Sequence, residues 1–161
     1  MSLNVGVSSY ISGITAITMN SNCLLLAEDE ESDVLIFRRA LKKAVLSVEL
    51  RTFRDGQELV EDLNLEQNRE QFTGCLAGLL VLDLKMPRMN GFDVLTWLKT
   101  QPRLSELPVV VLSSSIHESD MRKALQLGAR EYLVKPTVPG ELVTMVKTMH
   151  ERYFRDCALT A

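Results

Sequence analysis

Short runs of apolar residues alternate along this chain with longer stretches in which apolar residues recur every three or four positions. Leu79–Leu82 is an uninterrupted apolar run, and the turn residues Asn90 and Gly91 follow it soon afterwards. A short apolar run closed by turn residues is typical of a strand that is buried on both faces. Cys23–Ala27 and residues 108–112 have the same character. The pattern therefore predicts a sheet whose central strands are covered on both sides.

Two weaker apolar runs and five helical stripes complete the pattern. Residues 48–53 alternate between polar and apolar positions, as in an edge strand, and residues 132–134 form a short fifth run. Helical spacing follows each strand, in the sets Val34, Phe37, Leu41 and Ala44; Leu59, Val60 and Leu63; Phe92, Leu95 and Leu98; residues 118–127; and Leu142, Val146, Met149 and Tyr153. Ser115 and Glu118 fit a capping box before the fourth helix. Five strand–helix units joined by right-handed crossovers predict an α/β fold, a doubly wound parallel five-stranded sheet.

The pattern also predicts where the folded domain begins and ends. Residues 22–155 carry all of the strand and helix signals. Residues 1–21 are rich in Ser, Thr, Asn and Gly with weak periodicity, so we expect an extension that is mobile or loosely docked. Residues 156–161 form a short tail. Residues 64–74 are polar, and we expect them to extend the second helix and then form a loop.

Composition narrows the class of protein. The chain has 161 residues, of which 46% are hydrophobic and 24% charged, as in ordinary globular domains. The net charge of −3 gives no basic field for nucleic acid, and no run is long enough to span a membrane. We therefore expect neither a DNA-binding domain nor a membrane anchor. Cys23, Cys75 and Cys157 are too far apart to suggest a disulfide framework, which favours a cytoplasmic location.

Polar side chains follow four of the predicted strands, namely Glu28 with Asp29, then Asp83, Ser113 and Lys135. Ligands of open α/β sheets bind beyond the carboxyl ends of the strands, where these groups would meet. Taken alone, Asp83 would more often be a strand-end cap. A plain surface lysine is the alternative for Lys135, but its place after a buried strand and before Pro136 argues against that. Carboxylates this close repel one another unless a cation is present, and Mg²⁺ prefers such oxygen ligands.

This set of groups suits phosphoryl transfer. Asp83 would be the nucleophile and would form an acyl phosphate. The metal ion and the Lys135 ammonium would neutralise charge on the phosphoryl oxygens, and Ser113 would donate a hydrogen bond to one of them. The sequence thus predicts a phosphoacceptor site at the edge of the sheet.

Four segments carry a family resemblance: Leu-Leu-Leu-Ala-Glu-Asp-Glu at 24–30, Leu-Val-Leu-Asp-Leu-Lys-Met-Pro at 80–87, Pro-Val-Val-Val-Leu-Ser-Ser at 108–114, and Gly-Ala-Arg-Glu-Tyr-Leu-Val-Lys-Pro at 128–136. In these segments and their order the chain resembles the receiver domains of two-component response regulators. The resemblance covers most of the chain. It implies a flavodoxin-like (βα)5 fold with strand order 2-1-3-4-5.

The resemblance also implies a role for each residue of the metal and phosphate site. Asp83 takes the phosphoacceptor position. Asp29 takes the position of a direct metal ligand, while Glu28 acts mostly through water. The backbone carbonyl of Lys85 completes the metal shell. Lys135 takes the position of the invariant lysine, and the family usually has a cis peptide between the residues matching Lys135 and Pro136.

Further positions concern switching and the lifetime of the phosphate. Ser113 stands at the switch serine or threonine, and Tyr132 at the aromatic switch position. The side chain of Lys85, two residues after Asp83, can lie over the mouth of the site. Ser114 and Ser115 leave room for water. We therefore expect these last three residues to set the phosphate lifetime.

The expected function is that of a single-domain response regulator, a phosphoacceptor switch rather than a turnover enzyme. A histidine kinase would transfer its phosphoryl group to the aspartate with Mg²⁺ as cofactor, and a downstream protein target would respond. Finer features resemble receivers that partner phytochrome kinases. A homodimer is plausible, through the last helix and strand or through the N-terminal extension.

Two other functions compete with this expectation. A phosphatase of the haloacid-dehalogenase kind also uses a strand-end aspartate and Mg²⁺, but it needs a second aspartate two residues later, where this chain has Lys85. A docking module that keeps the receiver fold without phosphorylation is the third possibility, and the complete set of site residues argues against it.

Overall fold

Five parallel strands form the centre of the molecule: β1 (Cys23–Ala27), β2 (Glu49–Phe53), β3 (Leu79–Leu82), β4 (Val109–Ser113) and β5 (Glu131–Val134). The computed structural model describes residues 22–68 and 77–154. The strand order is β2-β1-β3-β4-β5, which confirms the doubly wound sheet predicted above. The expected extension 1–21, tail 156–161 and most of the expected loop before β3 lie outside the described residues.

Five helices connect and cover the strands: α1 (Glu31–Lys43), α2 (Gly56–Gln67), α3 (Gly91–Leu98), α4 (Glu118–Gln126) and α5 (Pro139–Tyr153). A 3₁₀ turn, Pro102–Leu104, lies between α3 and β4. None of the described helices is both long enough and apolar enough to cross a bilayer.

The uninterrupted apolar run of β3 is explained by two separate cores. Leu80 and Leu82 pack in one apolar cluster, which includes residues of α2, α3 and α4. Leu79 and Val81 pack in the other cluster, which includes residues of α1 and α5. Successive side chains of a strand point to opposite faces, so a strand covered on both sides needs apolar residues at every position.

The sheet register sets which polar groups meet at the carboxyl edge. Ala27 of β1 lies beside Leu82 of β3, so Glu28 and Asp83 leave the sheet side by side. Ser113 of β4 pairs with Val134 of β5, and the Lys135 backbone N–H donates to the Ser113 carbonyl at 2.9 Å. The parallel pairing therefore brings residues from four strands to one edge.

The predicted capping box before α4 is wrong. The residue that precedes the helix is His117, and its side chain makes no capping hydrogen bond. The Ser115 hydroxyl instead donates to Asp120 Oδ2 at 2.6 Å, inside the first turn of the helix. Because Ser115 belongs to the loop that follows β4, its hydroxyl reaches the helix from two residues further back than a capping serine would.

Candidate functional site

Asp83 is the residue on which the site is centred. Its backbone N–H donates to the Ala27 carbonyl at 3.0 Å, and only 5% of the residue is exposed. The following loop folds back closely: a Cβ added at Gly91 would lie 2.4 Å from the Asp83 carbonyl oxygen. Asn90, which precedes Gly91, forms a capping box with Asp93 at the start of α3. The Asn90-Gly91 turn therefore holds the loop against the end of β3.

Three carboxylates converge at this point. Glu28 and Asp83 are buried, Asp29 is half-buried, and one oxygen from each lies within 4.8 Å of the others. Glu28 is already engaged, because its Oε1 accepts from the Glu30 N–H at 3.1 Å and its Oε2 lies 2.6 Å from Lys135 Nζ. The acidic pair and Asp83 thus occupy the positions that the sequence predicted.

Lys135 brings a cation to these acids. Its Nζ lies 2.6 Å from Glu28 Oε2, 2.8 Å from Asp33 Oδ2 and 3.8 Å from Asp83 Oδ1. The side chain is 20% exposed, so the ammonium is largely withdrawn from water. The first two distances are those of charge-assisted hydrogen bonds, and the third is too long for one.

Asp83 Oδ1 is therefore an unusual atom. It is buried and has no hydrogen-bond partner within the described part of the chain. A buried carboxylate oxygen without a donor costs about 1–3 kcal/mol or more, so native proteins rarely leave one unless it has a function or binds an ion. The free oxygen points to a group that binds here.

The electrostatics of the cluster also favour a bound cation. Burial raises the pKa of Asp83 and of Glu28, and the nearby Lys135 offsets this only in part. Burial alone would lower the pKa of Lys135, but its hydrogen bonds to Asp33 and Glu28 outweigh this and raise the pKa. Lys135 is therefore a permanent cation, while the acids remain under-compensated. Three oxygen ligands with a free buried oxygen fit a hard divalent ion.

The residues expected to switch belong to β4 and β5, which lie on the opposite side of β3 from β1 and its acidic pair. Ser113 is fully buried, and its hydroxyl oxygen accepts from the Ser115 N–H at 3.2 Å. Tyr132 is half-buried, and its hydroxyl donates to the Ser115 carbonyl at 2.9 Å. A short chain of hydrogen bonds therefore links the end of β4 to the aromatic ring of β5. Ser114, between Ser113 and Ser115 in the sequence, is exposed.

Two further expectations have different outcomes. Lys85 is exposed two residues after Asp83, as a residue at the mouth of the site would be. The expected cis peptide between Lys135 and Pro136 is wrong, because no peptide bond in the described residues is cis. The energy difference between the two isomers is small for an X–Pro bond, and the trans form is the favoured one.

Asp33 is the site residue that the sequence did not single out. It lies in the first turn of α1, where an acid is sufficiently explained by the helix dipole. Its contact with Lys135 joins residues 102 positions apart in the chain. Only the packing of α1 beside the end of β5 brings the two side chains together, and no local pattern indicates that.

Comparison with known protein families is consistent with this geometry. Residues 24–147 match the family model described as the response regulator receiver domain. Response regulator Rcp1 of Synechocystis sp. is 32% identical over 138 residues, which cover 86% of this chain and 92% of that protein.

Solved structures give the same result. The phosphorylated cyanobacterial phytochrome response regulator RcpA superposes with a TM-score of 0.70 at 29% identity, covering 87% of this chain and 99% of that one. The Mn²⁺-bound form of Rcp1 superposes with a TM-score of 0.67, also at 29% identity and with the same coverage.

Proposed function

This chain belongs to the response regulator receiver domain family, whose members act in phosphorelay signalling, and from that membership we propose that Asp83 is its phosphoacceptor. The observation that carries the proposal is the free Oδ1 of Asp83, buried beside two more carboxylates and the Lys135 ammonium. This oxygen has no hydrogen bond to lose when it reacts, and it lies at the edge of the sheet where phosphoryl donors can approach.

The proposed reaction moves one phosphoryl group. An Asp83 carboxylate oxygen attacks the phosphorus of a kinase phosphohistidine, the P–N bond breaks, and a P–O bond forms to give an acyl phosphate. The leaving imidazole takes up a proton. The Lys135 ammonium balances charge on the phosphoryl oxygens, and the Ser113 hydroxyl donates to one of them after leaving its present contact.

A divalent cation, which we propose to be Mg²⁺, would be held by the Asp29 and Asp83 carboxylates, by Glu28 mostly through water, and by the Lys85 carbonyl. When bound, it supplies positive charge that offsets the repulsion between these acids and an incoming phosphoryl group. The donor set is made of oxygen atoms, as Mg²⁺ requires, and the related Rcp1 has been solved with Mn²⁺ bound.

We propose that phosphorylation is read out through Ser113 and Tyr132. When the Ser113 hydroxyl turns toward the phosphoryl group, it releases the backbone N–H of Ser115. The carbonyl of the same Ser115 accepts the hydrogen bond of the Tyr132 hydroxyl, so a movement of Ser115 reaches Tyr132. The ring of Tyr132 then repacks, and the surface formed by α4, β5 and α5 changes its affinity for a downstream protein. A local change of charge would thereby bias a two-state element.

The partners follow from the same proposal. The phosphoryl donor is a histidine kinase, and the related RcpA, a phytochrome response regulator, suggests a kinase of the phytochrome type. We place the protein in the cytoplasm, because three cysteines far apart along the chain suit a reducing compartment. We also propose that the chain forms a homodimer, either through α5 and β5 or through the N-terminal extension.

The competing functions have distinct requirements. A haloacid-dehalogenase type of phosphatase needs a general acid two residues after the nucleophile, and Lys85 stands there. A docking module without phosphorylation has no use for an unpaired buried carboxylate oxygen beside a lysine. Hydrolysis of a phosphomonoester would favour the first function, and failure to bind Mg²⁺ would favour the second.

The proposal is tested by intact-mass measurement after incubation with acetyl phosphate and Mg²⁺. Wild type should gain the mass of one phosphate, and removal of Mg²⁺ with EDTA should abolish the gain. Asp83→Asn should gain none while remaining folded by circular dichroism. An Asp83→Asn protein that is phosphorylated as fast as wild type would refute the site.

A further inference from the structure

Lys135 is shared unequally among three carboxylates. It makes short contacts with Glu28 and Asp33, at 2.6 and 2.8 Å, and stays 3.8 Å from Asp83 Oδ1. Yet Asp83 Oδ1 is the oxygen that lacks a hydrogen-bond donor. An approach of about 1 Å would turn the long contact into a hydrogen bond, so some other interaction must hold the ammonium back.

Asp33 is placed to hold it. The residue lies in the first turn of α1, and its side chain is 37% exposed, so it reaches Lys135 from the solvent side. Glu28 contacts the same ammonium from the buried side, with a side chain only 4% exposed. The ammonium is thus held between a buried and an exposed carboxylate, and removing the exposed one leaves Lys135 paired with the buried Glu28.

We propose that Asp33 is a positioning residue, which keeps Lys135 away from Asp83 in the unphosphorylated protein and so leaves Asp83 Oδ1 free for the divalent cation and the phosphoryl group. The inference rests on the proposed function, because it assumes that Asp83 binds both groups. Without Asp33, only Glu28 would hold the ammonium, which would then also pair with Asp83 and compete with the cation for the same oxygen.

The consequence can be measured without phosphorylation, as the affinity of the protein for Mg²⁺ alone. Asp33→Ala should weaken Mg²⁺ binding about threefold to tenfold more than Glu31→Ala does, as measured by isothermal titration calorimetry; coupling between contacting residues is of this size. Glu31 is the matched control, because it is an exposed acid of the same helical turn and forms none of the described ion pairs of Lys135. Asp33→Glu, which restores the carboxylate, should recover most of the affinity.

The same pair of variants in a Lys135→Met background separates positioning from simple loss of charge. If Asp33 acts through Lys135, then Asp33→Ala should weaken Mg²⁺ binding no more than Glu31→Ala once the ammonium is absent. Thermal melts followed by circular dichroism check that each variant is folded. We expect all of them to fold, because Asp33 and Glu31 are both on the surface of α1.

The inference is overturned if Asp33→Ala has an equal effect with and without Lys135, or an effect no larger than that of Glu31→Ala. Either result would leave the phosphoacceptor proposal standing as long as wild type binds Mg²⁺. A wild-type protein that fails to bind Mg²⁺ would overturn both.

Discussion

Lys135 and Asp83 form an incomplete ion pair, and the proposed reactivity of Asp83 depends on this incompleteness. Full pairing would satisfy the buried Asp83 Oδ1, but it would also neutralise the proposed nucleophile. The distance of 3.8 Å keeps the ammonium near enough to stabilise charge and leaves the oxygen unoccupied. An unsatisfied buried oxygen is a cost in stability, and proteins keep such costs mainly at functional sites.

Lys85 gives the first prediction at this scale. It is exposed beside Asp83, where its side chain can cover the acyl phosphate against water. Lys85→Ala should therefore shorten the half-life of the phosphorylated protein by about threefold. This corresponds to a small change in the activation barrier for hydrolysis of the acyl phosphate.

Phosphate release after removal of acetyl phosphate measures this half-life. Lys147→Ala, which removes an exposed lysine of α5, is the control and should leave it unchanged. Lys85→Met keeps most of the side-chain length without the charge, so its phosphate half-life should lie between those of wild type and Lys85→Ala. Equal half-lives for wild type and Lys85→Ala would refute the role of Lys85.

Most residues of the site could be predicted because they are strand-end residues. Glu28, Asp83 and Lys135 each follow an apolar run, and parallel strands bring their carboxyl ends to one edge. Asp33 could not be predicted, because its contact depends on side-chain reach between two elements far apart in sequence. The short contacts of Lys135 with Glu28 and Asp33, and its longer one with Asp83, could not be predicted either, because no sequence motif specifies such distances.

At the scale of elements, Asp55 joins the loop before α2 to the loop after β3. Its Oδ1 accepts from the Glu58 N–H at 2.9 Å, capping α2, and its Oδ2 accepts from Arg88 Nε at 2.8 Å. The adjacent Gly56 N–H donates to the Met89 carbonyl at 3.0 Å. The end of α2 that faces the site is thus fastened to the loop that carries Asp83.

This joint predicts a pH dependence of stability. Burial alone would raise the pKa of Asp55, but the Glu58 N–H and Arg88 outweigh it and lower the pKa below the ordinary 3.8. A carboxyl group with a lowered pKa in the folded state contributes stability that is present above pH 3.8 and is lost as the pH falls further.

Urea unfolding between pH 7 and pH 2.5 tests this contribution of Asp55 to stability. Asp55→Ala should lower the free energy of unfolding at pH 7 by about 1 kcal/mol, because the helix loses its cap and Arg88 its partner. Below pH 3 the difference from wild type should shrink. Glu106→Gln, an exposed acid before β4, is the control. A difference that stays constant over the whole pH range would contradict the assignment.

The elements themselves were predictable where their pattern is strong. The apolar runs of β1, β3 and β4 and the stripes of α1 and α5 are confirmed, because burial on one or two faces imposes a period that the sequence must show. The start of α4 at Glu118 is also confirmed, but its capping box is not, because the Ser115 hydroxyl has another partner within reach in Asp120. The strand order came from family resemblance, and periodicity alone does not specify it.

At the scale of the whole molecule, the surface beside the site has an apolar part. Ile36 of α1 is 42% exposed and Val138, just before α5, is 53% exposed. Ile36 lines a shallow cavity together with Lys135 and Pro136. In the proposed reaction a kinase brings its phosphohistidine to Asp83, so the docking surface would border this edge of the sheet. Exposed apolar residues are suited to such contacts.

Ile36→Asp should therefore slow transfer from a phosphorylated histidine kinase at least about tenfold, as expected when a central contact of an interface is lost. Phosphorylation by acetyl phosphate should stay within about twofold of wild type, because this small donor needs no docking surface. Leu65→Asp, which changes a 69% exposed leucine of α2, is the control. A variant that is slowed equally with both donors would show that Ile36 supports the site rather than docking.

The central claim, that folding gathers distant acids and a lysine into a phosphoacceptor site at residue 83, is tested most directly by locating the phosphoryl group chemically. Borohydride reduces an aspartyl phosphate to homoserine, and peptide mass spectrometry then identifies the reduced residue. After treatment with acetyl phosphate and Mg²⁺, homoserine should be found at position 83 and should be absent when Mg²⁺ is chelated. Homoserine at another aspartate, or none at any position, would contradict the claim.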